Sequence, residues 1–312
     1  MLLIKRSIML VVILAALLAG CTRAPAAGTG STTMGISLTD GLGNTVELAA
    51  PASRIISLGP SNTEILYAID AQSRIVGCDQ HSNYPEAAKP LATIADYPVL
   101  NMESIVALEP DLVLASELIP AEQVQTMREL GLKVYWLPNP KSLPGGLFEN
   151  IRTVGALTGA NEKAEQLVED LQKRVDAVRQ KVASAKTTPL VYYELDGTDP
   201  ARPWTAGPGS GGFVDMLLNL AGSRNVGSVF QTAWTQISAE EILRQDPDII
   251  LLGDAAYGVT PESVAGRPGW GELAAVKNGA VFPINGDLTT RPGPRLIEGL
   301  EEMLHLIHPE LF

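Results

Sequence analysis

Glu103-Ser-Ile-Val-Ala-Leu-Glu-Pro110-Asp111-Leu-Val-Leu114 returns 137 positions later as Glu240-Glu-Ile-Leu-Arg-Gln-Asp-Pro247-Asp248-Ile-Ile-Leu251. In each copy a short helical run meets a Pro-Asp turn, and an unbroken apolar run of strand type follows. Two further echoes keep the same order in both halves. Ser73-Arg74-Ile75-Val76-Gly77 answers to Ser223-Arg224-Asn225-Val226-Gly227, and Val134-Tyr-Trp-Leu-Pro138 answers to Val281-Phe-Pro283. Helix and strand alternate in each half, so the repeat predicts two related α/β lobes.

Working outward, Ile36–Leu38 and Thr45–Leu48 flank Asp40-Gly41-Leu42-Gly43 and predict a hairpin ahead of the first lobe. Ile55-Ile56-Ser57-Leu58 reads as a buried strand, and Ser61-Asn62-Thr63-Glu64 as a capping box opening a helix through Ala68. Between the lobes, Glu162–Ala185 carries apolar residues at Ala164, Leu167, Val168, Leu171, Val175, Val178 and Val182, with Asn161 as the expected cap. At 1.5 Å per residue that helix is roughly 35 Å long, suited to bridging two lobes across a cleft that flexes little. The expected divisions are 1–20, 21–34, a lobe over 35–148, a linker with the bridging helix over 149–187, and a lobe over 188–312.

The 312 residues are 46% hydrophobic and 19% charged, enough for one large core or two ordinary ones. With 35 Asp and Glu against 23 Lys and Arg, the net charge of -12 repels phosphate backbones, so nucleic acid is not expected as a partner. Cys21 and Cys78 form no metal-ligand pattern, and no metal site is expected. His305 and His308 fall in an expected closing helix and read as solvent-facing. Lys5 and Arg6 precede an apolar run from Ser7 to Gly20, which is the arrangement of a signal peptide. Leu18-Ala19-Gly20-Cys21 resembles the lipobox of bacterial lipoproteins, which would make Cys21 the lipidated N-terminus; Thr22–Met34 then reads as a flexible tether. No later stretch is apolar for long enough to span a membrane.

A secreted α/β enzyme is the alternative class, but G-x-S-x-G, the P-loop pattern and H-E-x-x-H are all missing. Gly207-Pro-Gly-Ser-Gly-Gly212 fits G-x-G-x-x-G by letter. Its expected setting, after a Pro-rich loop and with no acid near Thr232, makes the match a coincidence.

The residues from Ile36 to Phe312 resemble the solute-binding lipoproteins of iron-complex and vitamin B12 ABC importers. The resemblance rests on Arg54–Leu58 with Thr63-Glu64, Gly77–Pro85, Asn101–Val113, Gln236–Ile242, Pro247–Ile250, Gly269-Trp270 and Pro294-Arg295. It implies the class III periplasmic-binding-protein fold, two lobes with central parallel-type sheets joined by one long bridging helix. No catalysis and no resident cofactor are implied. The implied partners are an ABC permease dimer with its ATPase subunits, a membrane through the lipid anchor, and a small metal chelate; a monomer is expected. In that family one exposed glutamate per lobe docks on the permease, and Glu103 and Glu240 match those positions.

For the ligand, the resemblance places Tyr97 and Trp234 on aromatic positions of the vitamin B12 binders, His81 where tyrosine is frequent, and Asp287 and Arg291 on polar contacts. Trp204, in the loop Arg202–Gly209, joins them by chain position. Ser116 stands where those proteins carry tryptophan, and Thr290 where they carry an acid. A cobalt corrinoid is the favoured cargo. A ferric siderophore, met by Arg202, Arg291 and Tyr257, and haem, ligated by His81 or Tyr97, stay open as alternatives.

Overall fold

Along the strand Leu112–Ser116 the side chains alternate, Leu112 and Leu114 entering one hydrophobic cluster, Val113 and Ala115 another. The equivalent strand Ile249–Leu252 does the same, with Ile249 and Leu251 on one face and Ile250 and Leu252 on the other. Strands covered on both faces need no polar positions, hence the unbroken apolar runs. The computed structural model in which this is seen describes residues 35–96, 99–209 and 212–312. The expected leader, Cys21, the tether and Tyr97 fall outside the described residues.

The 137-residue repeat is structural down to single hydrogen bonds. Helices Met102–Ala107 and Ala239–Gln245 start at Asn101 and Ser238, whose side chains accept the N–H of Ser104 at 3.0 Å and of Glu241 at 3.2 Å. They are followed by Glu109 and Asp246, both at positive φ (44° and 48°) and both ahead of a proline, which disfavours the right-handed helical conformation for the residue before it. The next aspartate then clamps the neighbouring strand. Asp111 accepts the N–H of Ser53 and Arg54 at 2.8 and 3.0 Å, and Asp248 accepts that of Leu190 at 2.7 Å.

Each half of the α/β unit Gly35–Phe312 builds a six-stranded sheet. In the first, Thr93–Asp96, Ile75–Asp79, Ile55–Leu58, Leu112–Ser116 and Val134–Leu137 lie parallel in that order, and Val99–Leu100 pairs antiparallel at the edge. In the second, Leu190–Asp196, Ile249–Leu252 and Val281–Pro283 are parallel, with Arg224–Asn225 parallel to the start of Leu190–Asp196. Trp204–Ala206 and Trp234–Gln236 continue that sheet antiparallel. Trp204 therefore opens a strand, where a loop was expected. Gly207, which opens the glycine run, comes directly after this strand and not after a Pro-rich loop as expected, and its N–H donates to Ala233 O at 2.8 Å. The hairpin Ile36–Thr39 with Thr45–Leu48 forms as expected.

The bridging helix is Asn161–Val182, burying Ala164, Val168, Leu171, Val175 and Val178. Asn161 is its first residue and not its cap. The cap position is Ala160, without a side-chain hydrogen bond, because the preceding helix Glu149–Thr158 ends on left-handed Gly159 and Ala160 N–H already donates to Gly155 O at 2.8 Å. The two helices touch where Gly155 meets Ala164; a Cβ on Gly155 would stand 2.5 Å from the Ala164 Cβ. One hydrophobic core runs from Ile65 and Leu114 through Leu171 and Val175 to Leu217, Leu251 and Leu300, so the inner faces of both sheets share it with the helix. His308, expected at the surface, is fully buried at the end of the helix Leu296–Ile307, where its ring nitrogens meet Glu310 Oε1 at 3.0 Å and Gly222 O at 3.2 Å. His305 is exposed and packs edge-on against Phe312.

Among the described residues, two bidentate ion pairs cross from early to late chain. Glu64 receives Arg295 Nε at 3.0 Å and Nη2 at 2.5 Å, with the guanidinium lying 3.7 Å from the centre of the Tyr84 ring. Arg174, on the bridging helix, donates to both oxygens of Glu301 at 2.9 and 2.6 Å. Replacing Arg295 by alanine strands a buried carboxylate and is expected to lower stability by about 3 kcal/mol in denaturant unfolding. Replacing Glu64 by leucine and Arg295 by methionine together should cost less than either single change, since no charge is left unpaired.

Candidate functional site

The site begins with one backbone conformation. The helix Pro60–Ala68 starts at Gly59, whose φ of 138° only glycine adopts readily, and a Cβ there would fall 2.5 Å from Ser116 Oγ. Pro60 suits the first helical position, so Ser61-Asn62-Thr63-Glu64 sits inside the helix and does not form the expected capping box. Its polar side chains turn inward. Thr63 Oγ1 lies 2.8 Å from both Ser57 Oγ and Ser82 Oγ, and Asn62 Nδ2 donates to Leu114 O at 3.1 Å. Buried Asp79 completes the network, accepting from Gly59 N at 2.9 Å, Ser82 Oγ at 2.7 Å and His81 N at 2.8 Å. This hydroxyl and carboxylate chain fixes the strand-end loops of the first half, the region where open α/β sheets receive ligands.

Across from them the short helix Gly286–Thr290, capped by Asn285, carries Asp287 and leads to Arg291. Arg291 Nη2 holds Asp287 at 2.8 Å, while Nη1 reaches the opposite half to Asn83 Oδ1 at 2.8 Å. Between the halves lie two adjoining cavities of about 280 and 270 Å³ that share Pro60, Ser116, Leu118, Thr290 and Arg291. The first is walled by Leu195, Phe213, Trp234 and Pro292; the second by Asp79, His81, Tyr257 and Asp287. Trp234 is half-buried and held edge-on by Phe213 with ring centres 5.5 Å apart. Ser116 is 6% exposed, and its hydroxyl has no partner among the described residues.

The structure thus brings His81, Trp234, Asp287 and Arg291 together around one cleft. Trp204 is 40% exposed on the neighbouring strand and lines neither cavity; Tyr97 lies outside the described residues. Glu103 and Glu240 occupy equivalent exposed positions in the first turns of repeated helices, without an ion partner among the described residues. Glu241, in contrast, is held by Arg244 and Gln245. Among the described residues no cluster of His, Cys, Asp and Glu converges as a metal site, and no helix is long and apolar enough to cross a membrane.

Sequence reading missed a chamber of about 740 Å³ that adjoins the cleft through Leu195 and Tyr257. Against it lies a buried charge cluster. Arg267 donates to both oxygens of Glu194 at 2.5 and 2.8 Å and stacks on Trp270 at 4.6 Å, and Asp254 accepts the Gly197 N–H at 2.7 Å. Burial and the nearby Glu194 carboxylate push the Asp254 carboxyl up to about 6. The only sequence signal was an acid directly after the apolar strand Ile249–Leu252 and Gly253, a strand end of the kind that lines α/β sites.

A periplasmic binding protein family model matches residues 55–288. An uncharacterized ABC transporter substrate-binding lipoprotein of Bacillus subtilis, YvrC, is 31% identical over 89% of this chain and 87% of its own length. The crystal structure of the periplasmic vitamin B12 binding protein BtuF of Vibrio cholerae aligns with a TM-score of 0.70 at 27% identity, covering 83% of this chain and all but 2% of that one, at 98%. The apo periplasmic heme-binding protein RhuT of Roseiflexus sp. RS-1 aligns at 0.74 and 25% identity, covering 84% of this chain and 100% of that one.

The raised Asp254 carboxyl carries a linkage consequence. The folded protein holds this proton up to about pH 6 and the unfolded chain releases it near 3.8, so keeping Asp254 ionised costs stability above pH 6 and that cost fades as the pH falls. Asp254→Asn retains an oxygen for Gly197 and should therefore raise the melting temperature by a few degrees at pH 7.5, with a smaller gain at pH 5. Thermal unfolding at the two pH values measures the difference; a larger gain at pH 5 would contradict it.

Proposed function

Because the chain belongs to the periplasmic binding protein family, we propose that it is the extracytoplasmic substrate-binding lipoprotein of an ABC importer and that it carries a metal chelate, with a cobalt corrinoid as the favoured cargo. The observation that supports this most is the cleft itself. Trp234, Phe213, Leu195, Leu118 and two prolines offer apolar surface to a large flat ligand, and Asp287, Arg291 and His81 supply polar groups at its edge. The likeness to vitamin B12 binding proteins agrees with that division of surface. Haem is the second reading. It is favoured by exposed His81, which lines the cavity and whose Nε2 has, among the described residues, a long 3.3 Å contact with Gln80.

Delivery requires a partner. Glu103 and Glu240 are related by the internal repeat, and equivalent acidic points on a pseudo-symmetric binding protein suit a two-fold permease. Both side chains are exposed and make no ion pair among the described residues, so their carboxylates are available to meet arginines. Cys21 is the proposed lipid attachment, which is consistent with the lipoprotein name of the Bacillus relative. The chain is proposed to act as a monomer with a permease dimer and its ATPase subunits, its halves corresponding to the divisions 35–148 and 188–312.

Titrating the tetherless protein with cyanocobalamin, haemin and ferric siderophores while following Trp fluorescence tests the reading. Saturable quenching by cyanocobalamin, weakened at least about tenfold in Trp234→Ala, is expected from the loss of one stacking aromatic. Quenching by a ferric siderophore alone would overturn the corrinoid assignment. In cells, Glu103→Ala with Glu240→Ala should abolish uptake while leaving ligand affinity unchanged; retained uptake would remove these residues from docking.

A further inference from the structure

The chamber beside the cleft has a chemistry of its own. Its lining comes entirely from the second half, with residues 195–198 and Pro200 on one side and Asp254, Tyr257, Gly258, Val259, Ser263 and Arg267 on the other. At about 740 Å³ it is larger than either cleft cavity, and Tyr257 at its rim is 89% exposed.

Several of its donors are already engaged within the protein. Arg267 directs one N–H of each terminal nitrogen to Glu194. Thr198 gives its N–H and its hydroxyl to Asp196 Oδ1 at 2.8 and 2.5 Å, Gly197 N–H goes to Asp254, and Gly258 N–H goes to Ala255 O at 3.0 Å. The Ser263 hydroxyl donates to Thr260 O at 2.8 Å. Among the described lining residues, the one buried side-chain polar atom without a partner is an acceptor. Asp254 is 3% exposed, and its Oδ1 has no hydrogen-bond partner among the described residues. With Asp196, Asp254 and Glu194 set against Arg267, the formal charge around the chamber is negative. A buried acceptor without a donor is costly, and a ligand group that supplies the donor recovers that cost.

We propose that this chamber is a second ligand subsite, one that receives a peripheral arm ending in a hydrogen-bond donor, a primary carboxamide or an ammonium group, and that rejects an arm ending in a carboxylate. The proposal rests on the cleft holding a flat chelate with substituents around its rim. It deepens that reading by naming the substituent: amide-fringed macrocycles are accepted and acid-fringed ones are excluded. A carboxylate placed here meets Asp254 and Asp196 as like charges, and the one cation among the described lining residues, Arg267, is already paired with Glu194.

Two matched ligand pairs test this at pH 7.5 with the purified full domain. The first pair is cyanocobalamin with its peripheral monocarboxylic acids taken one at a time, and the second is the bis-amide of haem with haemin. The amide member is expected to bind at least about tenfold more tightly than at least one acid counterpart, the factor one unmatched buried polar contact is worth. In Asp254→Asn, which offers an NH₂ donor at the same place, the preference should fall several-fold. Equal affinity for amide and acid in every pair that binds overturns the subsite. A preference seen with the haem pair while cyanocobalamin fails to bind keeps the subsite and overturns the corrinoid cargo. Failure of every one of these ligands to bind overturns both. Should Asp254→Asn not fold, the wild-type ratios alone still decide the matter.

Discussion

Glu64 and Arg295 come from opposite ends of the folded unit and meet as a bidentate, largely buried ion pair, and the geometry of the cleft follows from where that pair sits. Glu64 lies in the helix that Gly59 starts, and Arg295 precedes the closing helix Leu296–Ile307. With Arg295 fixed against Glu64 and the Tyr84 ring, Arg291 four residues earlier reaches Asn83 across the cleft and holds Asp287 beside it. Burial pushes the Glu64 carboxyl above its ordinary range even though Arg295 opposes that shift. The pair is therefore better understood as a device that sets register between the halves than as a net source of stability.

Around that pair the fold is a duplicated unit, with a shared core passing through the bridging helix. Duplication puts Glu103 and Glu240 on equivalent helices and Asp111 and Asp248 on equivalent strand clamps, yet the two halves face the ligand with different chemistry. The first half contributes a network of Ser57, Thr63, Ser82 and Asp79 that holds loops still. The second contributes Trp234 and Phe213 on one side and the acidic chamber of Asp196 and Asp254 on the other. Symmetry thus serves the proposed meeting with a permease, and asymmetry serves the choice of cargo.

The repeat, the strands and the bridging helix were legible because each is written in neighbouring residues: apolar runs, Pro-Asp turns and a 3.6-residue stripe. Cap residues were not. Ser61–Glu64 satisfies the capping-box spacing, but Gly59 and Pro60 start the helix earlier and the hydroxyls serve the core instead. Asn161 lost its capping place to the tight Gly159-Ala160 turn, and His308 was drawn inside by Gly222, which lies far away in sequence. The same limit hid the chamber. Glu194, Asp254 and Arg267 share no local pattern, and only the parallel pairing of Leu190–Asp196 with Ile249–Leu252 brings the first two together. Of the residues matched through the family resemblance, His81, Trp234, Asp287 and Arg291 line the cleft, while Trp204, placed there by chain position alone, was drawn into a strand by pairing with Gln236 and Asp196.

The central claim is that the helix and the Glu64–Arg295 pair hold the halves at nearly constant separation while ligand enters. Spin labels at exposed Glu122 and Glu262, one in each half, report that separation by electron–electron distance measurement with and without saturating ligand. The account predicts a change in the mean distance below about 2 Å, within the range of pre-organised binding sites. A shift well beyond that, with a broad distribution in the free protein, would contradict it.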